Sequence, residues 1–337
     1  RVSDIDEIHD PGEEAEVIVL PLFHCFGLII AVHMALCNSA RIIPMMQFDA
    51  KIFVKLMKQN KIVGFGGIPL MFQKLMKQKG FDGPHLKNIR LMFCGGDDIS
   101  DGFIDEYNSY FEKWGATGRL RQGYGLTEIG SVCCTNTNDD FKRGSIGKAL
   151  RGVKVEIWDD DHKKVPNGTV GEFAISGPTI MKGYYMEGEA EDYGLYTDEN
   201  GEKWVLSGDL GYQDDDGFFF FSGRKKRLII ISGYNVYPTD IEKLVGEMDE
   251  IKECCAVQGW DNGRSMVRLY ATTASGVNEE ELKEKIRKEC EDNFSKFYVP
   301  RDIIFMDSLP ETPLMKVDFM KLTAADPEVL RAERKMK

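Results

Sequence analysis

The chain has 337 residues, 42% hydrophobic and 11% aromatic, which is enough for two or three domains with real cores and too much for a disordered chain. Lys and Arg number 43 against 55 Asp and Glu, and the formal charge of −12 argues against a general nucleic-acid binder and for a small-molecule enzyme. The 8 cysteines form no Cys-x-x-Cys pair and, with 5 histidines, no zinc-ligand spacing, so they read as free thiols in a reducing cytoplasm.

The most apolar stretch, 17–37, is long enough to span a membrane. Pro21, His24, Gly27 and His33 interrupt it, and strand, loop and helix fit it better, as in a soluble protein. Residues 17–20 are β-like and stop at Pro21, and Gly27 opens a helix to about 36. A short strand at 41–43 ends at Pro44. Asp49 then caps a helix with Ile52, Phe53, Leu56 and Met57 on one face. Residues 62–65 are a strand, and Pro69 starts a helix at its favoured first position. Strand 89–94 ends in Gly95-Gly96, Ser100 caps a helix to about 114, and 120–122 is a strand again. This alternation predicts an α/β fold with a mostly parallel, helix-covered sheet.

From 145 to 222 the pattern changes to short strands with turn signals, as expected of an antiparallel, β-barrel-like subdomain. A basic turn, a helix from about Thr239, strands near 256–258 and 267–272 and an amphipathic helix over 278–294 then predict a small α+β domain. Two motifs are decoys. GFGGIP at 64–69 lacks the sixth-position glycine of a dinucleotide fingerprint. The run Asp214-Asp215-Asp216-Gly217 lacks calcium-loop spacing and reads as a hairpin turn.

The strongest local signal is QGYGLTE at 122–128, where a strand of an open α/β sheet ends. Tyr124, between Gly123 and Gly125, can lay its ring against a base. Thr127 offers a hydroxyl to a phosphate, and Glu128 offers hard oxygen to Mg²⁺. In LSGDLG at 206–211, Asp209 is flanked by turn residues and can accept from both ribose hydroxyls. Arg224 adds a charged donor nearby in sequence.

These segments, with GSIGKALRGVKVEI at 144–157, GEFAISGPTIMKGYY at 171–185, the run from SGDLG to PTDIE at 207–242 and KFYVPRDIIFMDSLPETPLMK at 296–316, resemble the adenylate-forming superfamily, most of all its acyl-CoA synthetases (fatty-acid–CoA ligases). PLFHCFGL at 21–28 is similar to the family's gate segment and FCGGDD at 93–98 to its adenine-side loop. The resemblance covers about 17–322. It implies activation of a carboxylic acid by Mg-ATP to an acyl-adenylate, rotation of the small domain, and attack by the CoA thiol. It also implies a chain divided into the rear of a large α/β domain (1–144), its antiparallel β subdomain (145–225) and a mobile C-terminal α+β domain (226–337).

By the same resemblance, Tyr124 stacks on adenine, with Gly95, Gly96 and Gly125 lining the nucleotide site. Thr127 holds the α-phosphate, Glu128 the metal, and Asp209 with Arg224 the ribose. Lys316 is the catalytic lysine between carboxylate and α-phosphate, where a cation stabilises charge that builds in the transition state. Lys226 matches the hinge, Gly233 the pantetheine tunnel, and His24 the gate of the acyl or CoA channel. The segment 64–76 forms part of the acyl pocket.

The family's Ser/Thr/Gly-rich phosphate-binding loop has no counterpart in 1–23, and the chain begins at Arg1. The expectation is a C-terminal portion with weak or no ATP-dependent activity alone. Met315 stands where the family usually has Gly, and Asp97-Asp98 replaces an Ala-Pro type pair. Two competing readings are an enzyme that loads a carrier protein, which SGYNVYP at 232–238 resembles less, and a truncated, non-catalytic nucleotide-binding protein.

Overall fold

The computed structural model describes residues 12–96, 99–184, 194–312 and 316–326. The chain forms two compact units, Arg1–Phe221 and Ser222–Lys337. Within the first, a seven-stranded sheet has the order β2-β1-β3-β4-β5-β6-β7. Its strands are β1 (Glu14–Ile18), β2 (Arg41–Pro44), β3 (Lys61–Gly67), β4 (Leu91–Cys94), β5 (Arg119–Tyr124), β6 (Cys134–Thr135) and β7 (Lys148–Ala149). The first five run parallel, and β6 and β7 close the far side antiparallel.

Local sequence explains where the covering helices start and stop. The segment after β1 opens at Phe26 rather than Gly27, as a π-helical turn (Phe26–His33) that passes into α1 (Met34–Cys37). Helix α2 (Ala50–Gln59) is capped by the Asp49 side chain, which accepts from the Ile52 N–H. Pro69 begins α3 (Pro69–Lys77). Helix α4 (Asp101–Trp114) is capped by Ser100 and ended by Gly115 in the left-handed region. It buries Ile104, Tyr107 and Phe111, spaced along one helical stripe, and full burial of apolar side chains such as Ile104 and Phe111 is worth about 1.5–3 kcal/mol each. Phe53, Phe65, Phe72, Tyr107 and Phe111 form a continuous train of ring contacts through this core.

The expected barrel-like part is a five-stranded antiparallel sheet. Its strands are β8 (Lys154–Trp158), β9 (Gly171–Ser176), β10 (Leu195–Thr197), β11 (Lys203–Gln213) and β12 (Phe219–Arg224), in the order β10-β11-β9-β8 with β12 also on β11. The acidic run is the turn between β11 and β12, where Asp214 Oδ1 accepts from the N–H groups of Asp216 and Phe218.

In the second unit β13 (Ile229–Ile231) and β14 (Tyr234–Val236) pair as a hairpin, followed by α5 (Pro238–Gly246). Strands β15 (Ile251–Asp261) and β16 (Arg264–Thr273) make a hairpin far longer than the two apolar cores expected. Asn262-Gly263, both at positive φ, form its turn. Helix α6 (Glu279–Asn293) is capped by Asn278 and packs Leu282, Ile286 and Cys290 into the core. Strand β17 (Asp302–Phe305) adds parallel to β16, and α7 (Phe319–Ala324) ends the described chain.

Candidate active site

Gly67, Cys94 and Gln122 lie side by side where β3, β4 and β5 end, the edge at which open α/β sheets bind ligands. The chain leaves β5 through a tight turn. Gly125 is obligatory there, because a Cβ would lie 1.6 Å from the Ser131 carbonyl oxygen. The turn continues as Thr127–Ile129, closed by the Gly130 N–H to Thr127 O at 3.1 Å and the Ser131 N–H to Leu126 O at 3.1 Å. Ser131 itself sits at φ 112, a strained setting for a residue with a side chain and one that is over-represented at functional sites. The result is an exposed Thr127 hydroxyl and a half-buried Glu128 on a stiff support.

The segment 21–28 reaches the same place. A turn at Pro21–His24 packs on Gly27, whose Cβ would meet Pro21 O at 2.3 Å. His24 Nδ1 accepts from the Phe26 N–H at 3.1 Å, which assigns the proton of the neutral ring to Nε2. Cys25 Sγ stands 3.6 Å from Thr127 Oγ1, a neighbour that sequence reasoning missed. Phe26 lies over the strand ends: a Cβ on Gly95 would meet its ring at 3.3 Å and one on Gly66 at 3.4 Å. Gly96 follows, exposed and at positive φ. Asp97 and Asp98 lie outside the described residues.

Tyr124 is more enclosed than the sequence suggested. It is 9% exposed, and its ring packs 5.0 Å from Phe173 and 6.1 Å from Phe221. Its hydroxyl donates to Asp209 Oδ2 at 2.8 Å, and Asp209 is 3% exposed. Burial, with the Asp209 carboxylate beside it, holds the Tyr124 phenol far above its ordinary range, so it stays a donor. An aspartate expected to serve only ribose therefore already accepts from the tyrosine, because flanking glycines let the ring turn inward as well as outward.

Glu128 has two further contacts that no local pattern announces. Its backbone carbonyl accepts from the Met181 N–H at 2.8 Å, and its Oε1 accepts from the Tyr184 hydroxyl at 2.6 Å. The hydrogen bond to Glu128 pushes Tyr184 up to about 12. Among the described residues no cluster of three His, Cys, Asp or Glu could cage a metal. One carboxylate next to an exposed hydroxyl instead fits magnesium, which binds through one or two carboxylates plus substrate phosphate.

The remaining expected site residues belong to the second unit. Arg224 and Lys226 are exposed, and Lys226 is the middle of a 3₁₀ turn, Lys225–Arg227. Arg227 anchors that turn by pairing with Glu242 and donating to Ala256 O at 3.2 Å. Gly233, at φ 83 after Ser232 at φ 52, makes the exposed tip of the β13–β14 hairpin, with open space where a Cβ would go. Lys316 closes a small loop: its N–H donates to Thr312 Oγ1 at 3.3 Å, and its carbonyl accepts from the Thr312 N–H at 2.8 Å. Met315 lies outside the described residues.

The profile of the AMP-binding enzyme family matches residues 2–185, more than half of the chain, and that of the AMP-binding enzyme C-terminal domain matches 240–316. The chain belongs to the AMP-binding enzymes. Among curated relatives, a long-chain-fatty-acid–CoA ligase of Escherichia coli is 30% identical over 312 residues, covering 91% of this chain and 53% of the relative. A 4-coumarate–CoA ligase of Oryza sativa is 30% identical over 319 residues, covering 90% and 54%. The chain thus spans about half the length of the curated relatives it matches. Among solved structures, ATP-bound MatB from Rhodopseudomonas palustris aligns with a TM-score of 0.82 at 24% identity, over 93% of this chain and 60% of that one. MenE from Bacillus subtilis with an acyl-adenylate aligns at 0.79 and 23%, over 94% and 62%. At such identities these neighbours establish the fold of this AMP-binding chain. No helix among the described residues is long and apolar enough to cross a membrane.

Proposed function

We propose that this chain carries the adenylate-handling part of an acyl-CoA ligase that acts on a fatty acid. The observation that carries this reading is the convergence of the Thr127–Glu128 turn, the Gly95-Gly96 loop and the gate segment at one end of the parallel sheet, with Cys25 touching Thr127. In the first half-reaction a carboxylate oxygen forms a bond to the α-phosphorus of ATP while the bond to the β-phosphate oxygen breaks, giving acyl-adenylate and pyrophosphate. In the second, the CoA sulfur attacks the acyl carbon, AMP leaves with the bonding electrons, and the thiol proton is released.

Each residue has a task in that scheme. Thr127 donates its hydroxyl to the α-phosphate. Asp209, which accepts from the Tyr124 hydroxyl, is assigned to the ribose. Glu128 holds magnesium, which when bound neutralises phosphate charge. Gly95 and Gly96 let the nucleotide approach the backbone where any side chain would collide with Phe26 or strain the loop. Lys316, in the second unit, is assigned the cation that stabilises charge at the reacting carboxylate. Lys226 and Arg224 are assigned to the hinge and the ribose, His24 to the acyl gate, and Gly233 to the path of the CoA arm.

The test is calorimetric titration with non-hydrolysable acyl-adenylate mimics of graded chain length, which engage the α-phosphate position without the β- and γ-phosphates. Affinity that rises with aliphatic chain length supports the reading. Binding of an adenosine mimic with no dependence on the acyl part contradicts the fatty-acid assignment, and no binding contradicts the adenylate site.

A further inference from the structure

The contact between Tyr184 and Glu128 joins segments 56 residues apart. It is one of three features that fasten 179–184 onto the turn after β5. The Met181 N–H donates to the Glu128 carbonyl at 2.8 Å, and Thr179 lies against Gly130, where a Cβ would meet it at 3.4 Å. The third is the Tyr184 hydroxyl, which donates to Glu128 Oε1 at 2.6 Å. The two backbone-level contacts set the path of the segment, so the phenol is delivered to the carboxylate by a fixed support rather than by a free loop. Tyr184 is exposed and belongs to none of the hydrophobic clusters of the described residues, so burial does not account for its position.

We propose that Tyr184 is a positioning residue for Glu128: its hydroxyl holds Oε1 and leaves Oε2, which has no partner among the described residues, as the single oxygen offered to a divalent cation. The assignment rests on Glu128 serving the metal in the proposed function. A hydrogen bond at one oxygen orients the carboxylate and favours coordination through the other. Partners of this kind, one bond removed from a metal, orient the ligand, and their loss typically lowers metal affinity.

The experiment uses the whole chain with ATP and Mn²⁺ as probes. Mn²⁺ affinity in the presence of ATP is read from the electron paramagnetic resonance signal of the free ion, and ATP affinity without metal is read by calorimetry in a chelator. Tyr184→Phe keeps the ring at an exposed position and removes the hydroxyl alone. It is expected to weaken Mn²⁺ binding about tenfold, with ATP binding in chelator and the melting temperature unchanged. In a Glu128→Gln background the same substitution is expected to do nothing further. Unchanged Mn²⁺ affinity in Tyr184→Phe overturns the proposal, as does an equal loss with and without Glu128, or an equal loss of metal-free ATP binding. A parent chain that binds neither ATP nor an acyl-adenylate mimic overturns the reading of the site and the positioning role with it. A parent that binds ATP with Mn²⁺ beside an unaffected Tyr184→Phe overturns the positioning role alone.

Discussion

The two ends of the parallel sheet are built from opposite materials. At the amino end, Glu14 opens β1 with no exposed surface. Arg90 grips both its oxygens, at 2.9 and 2.5 Å, and Lys61 stands 3.0 Å away. The buried Glu14 charge is answered by two cations, and Arg90 meets it in the two-pronged geometry that makes Arg–carboxylate pairs strong. At the carboxyl end β3, β4 and β5 run out into glycines, and the polar groups that follow are the exposed Thr127, whose hydroxyl meets only the Cys25 thiol among the described residues, and Oε2 of Glu128, which has no partner among them. One end is closed and the other is kept open, which is how a single sheet supplies both a rigid frame and a place to bind.

That contrast can be broken from either side. The largest expected effect is at the closed end. Glu14→Ala leaves two cations facing a vacated, buried position, and should destabilise the first unit by about 3 kcal/mol, less whatever water at the partly exposed Lys61 and Arg90 recovers. Urea unfolding measures the loss, and affinity for an acyl-adenylate mimic, corrected for the folded fraction, should not change. A comparable loss of affinity in the folded protein would show that the two ends are not separable.

Next in size is the open end. Thr127 is exposed, and Thr127→Ala should cost stability less than about 0.5 kcal/mol. The same variant should weaken the mimic by about 2 kcal/mol, the worth of a hydrogen bond to a charged group. Calorimetry and thermal unfolding on one preparation separate the two quantities.

The smallest effect is again at the closed end, where Asp82 accepts from Lys113 Nζ at 2.6 Å and from the Trp114 indole N–H at 2.6 Å. The Lys113 hydrogen bond, then that of Trp114, holds its carboxyl below the ordinary aspartate range. A depressed folded value means that the contribution is fully present above the unfolded aspartate value and is lost as pH falls through the lower, folded one. Trp114 fluorescence should follow that acid-side transition, and Asp82→Asn should remove it. A transition at the ordinary aspartate value would mean that the contact does not persist in solution.

The sequence made the open end easier to read than the closed one, and the reason is physical. Caps and glycines act over three or four residues, so Asp49, Ser100, Pro69 and the turn glycines of QGYGLTE were legible directly. The order of motifs brought out the family, and with it Thr127, Glu128 and Asp209. What stayed hidden depends on partners far along the chain. Nothing near Tyr124 announces Asp209 and Phe173, nothing near Glu128 announces Tyr184, and Glu14 looks like one more charge in an acidic run until Arg90 is beside it. The length of the β15–β16 hairpin was a different miss. Asn262-Gly263 is a strong turn signal, but charged residues at the outer strand positions break the apolar alternation that would mark the pairing.

The most direct test of the central claim is hydrogen exchange on the whole chain, with and without an acyl-adenylate mimic. The account predicts slower exchange at 93–96, 122–131 and 207–210, with 14–16, 61–63 and 90–91 unchanged. Protection centred on the amino end of the sheet, or none at 122–131 under saturating mimic, would contradict it.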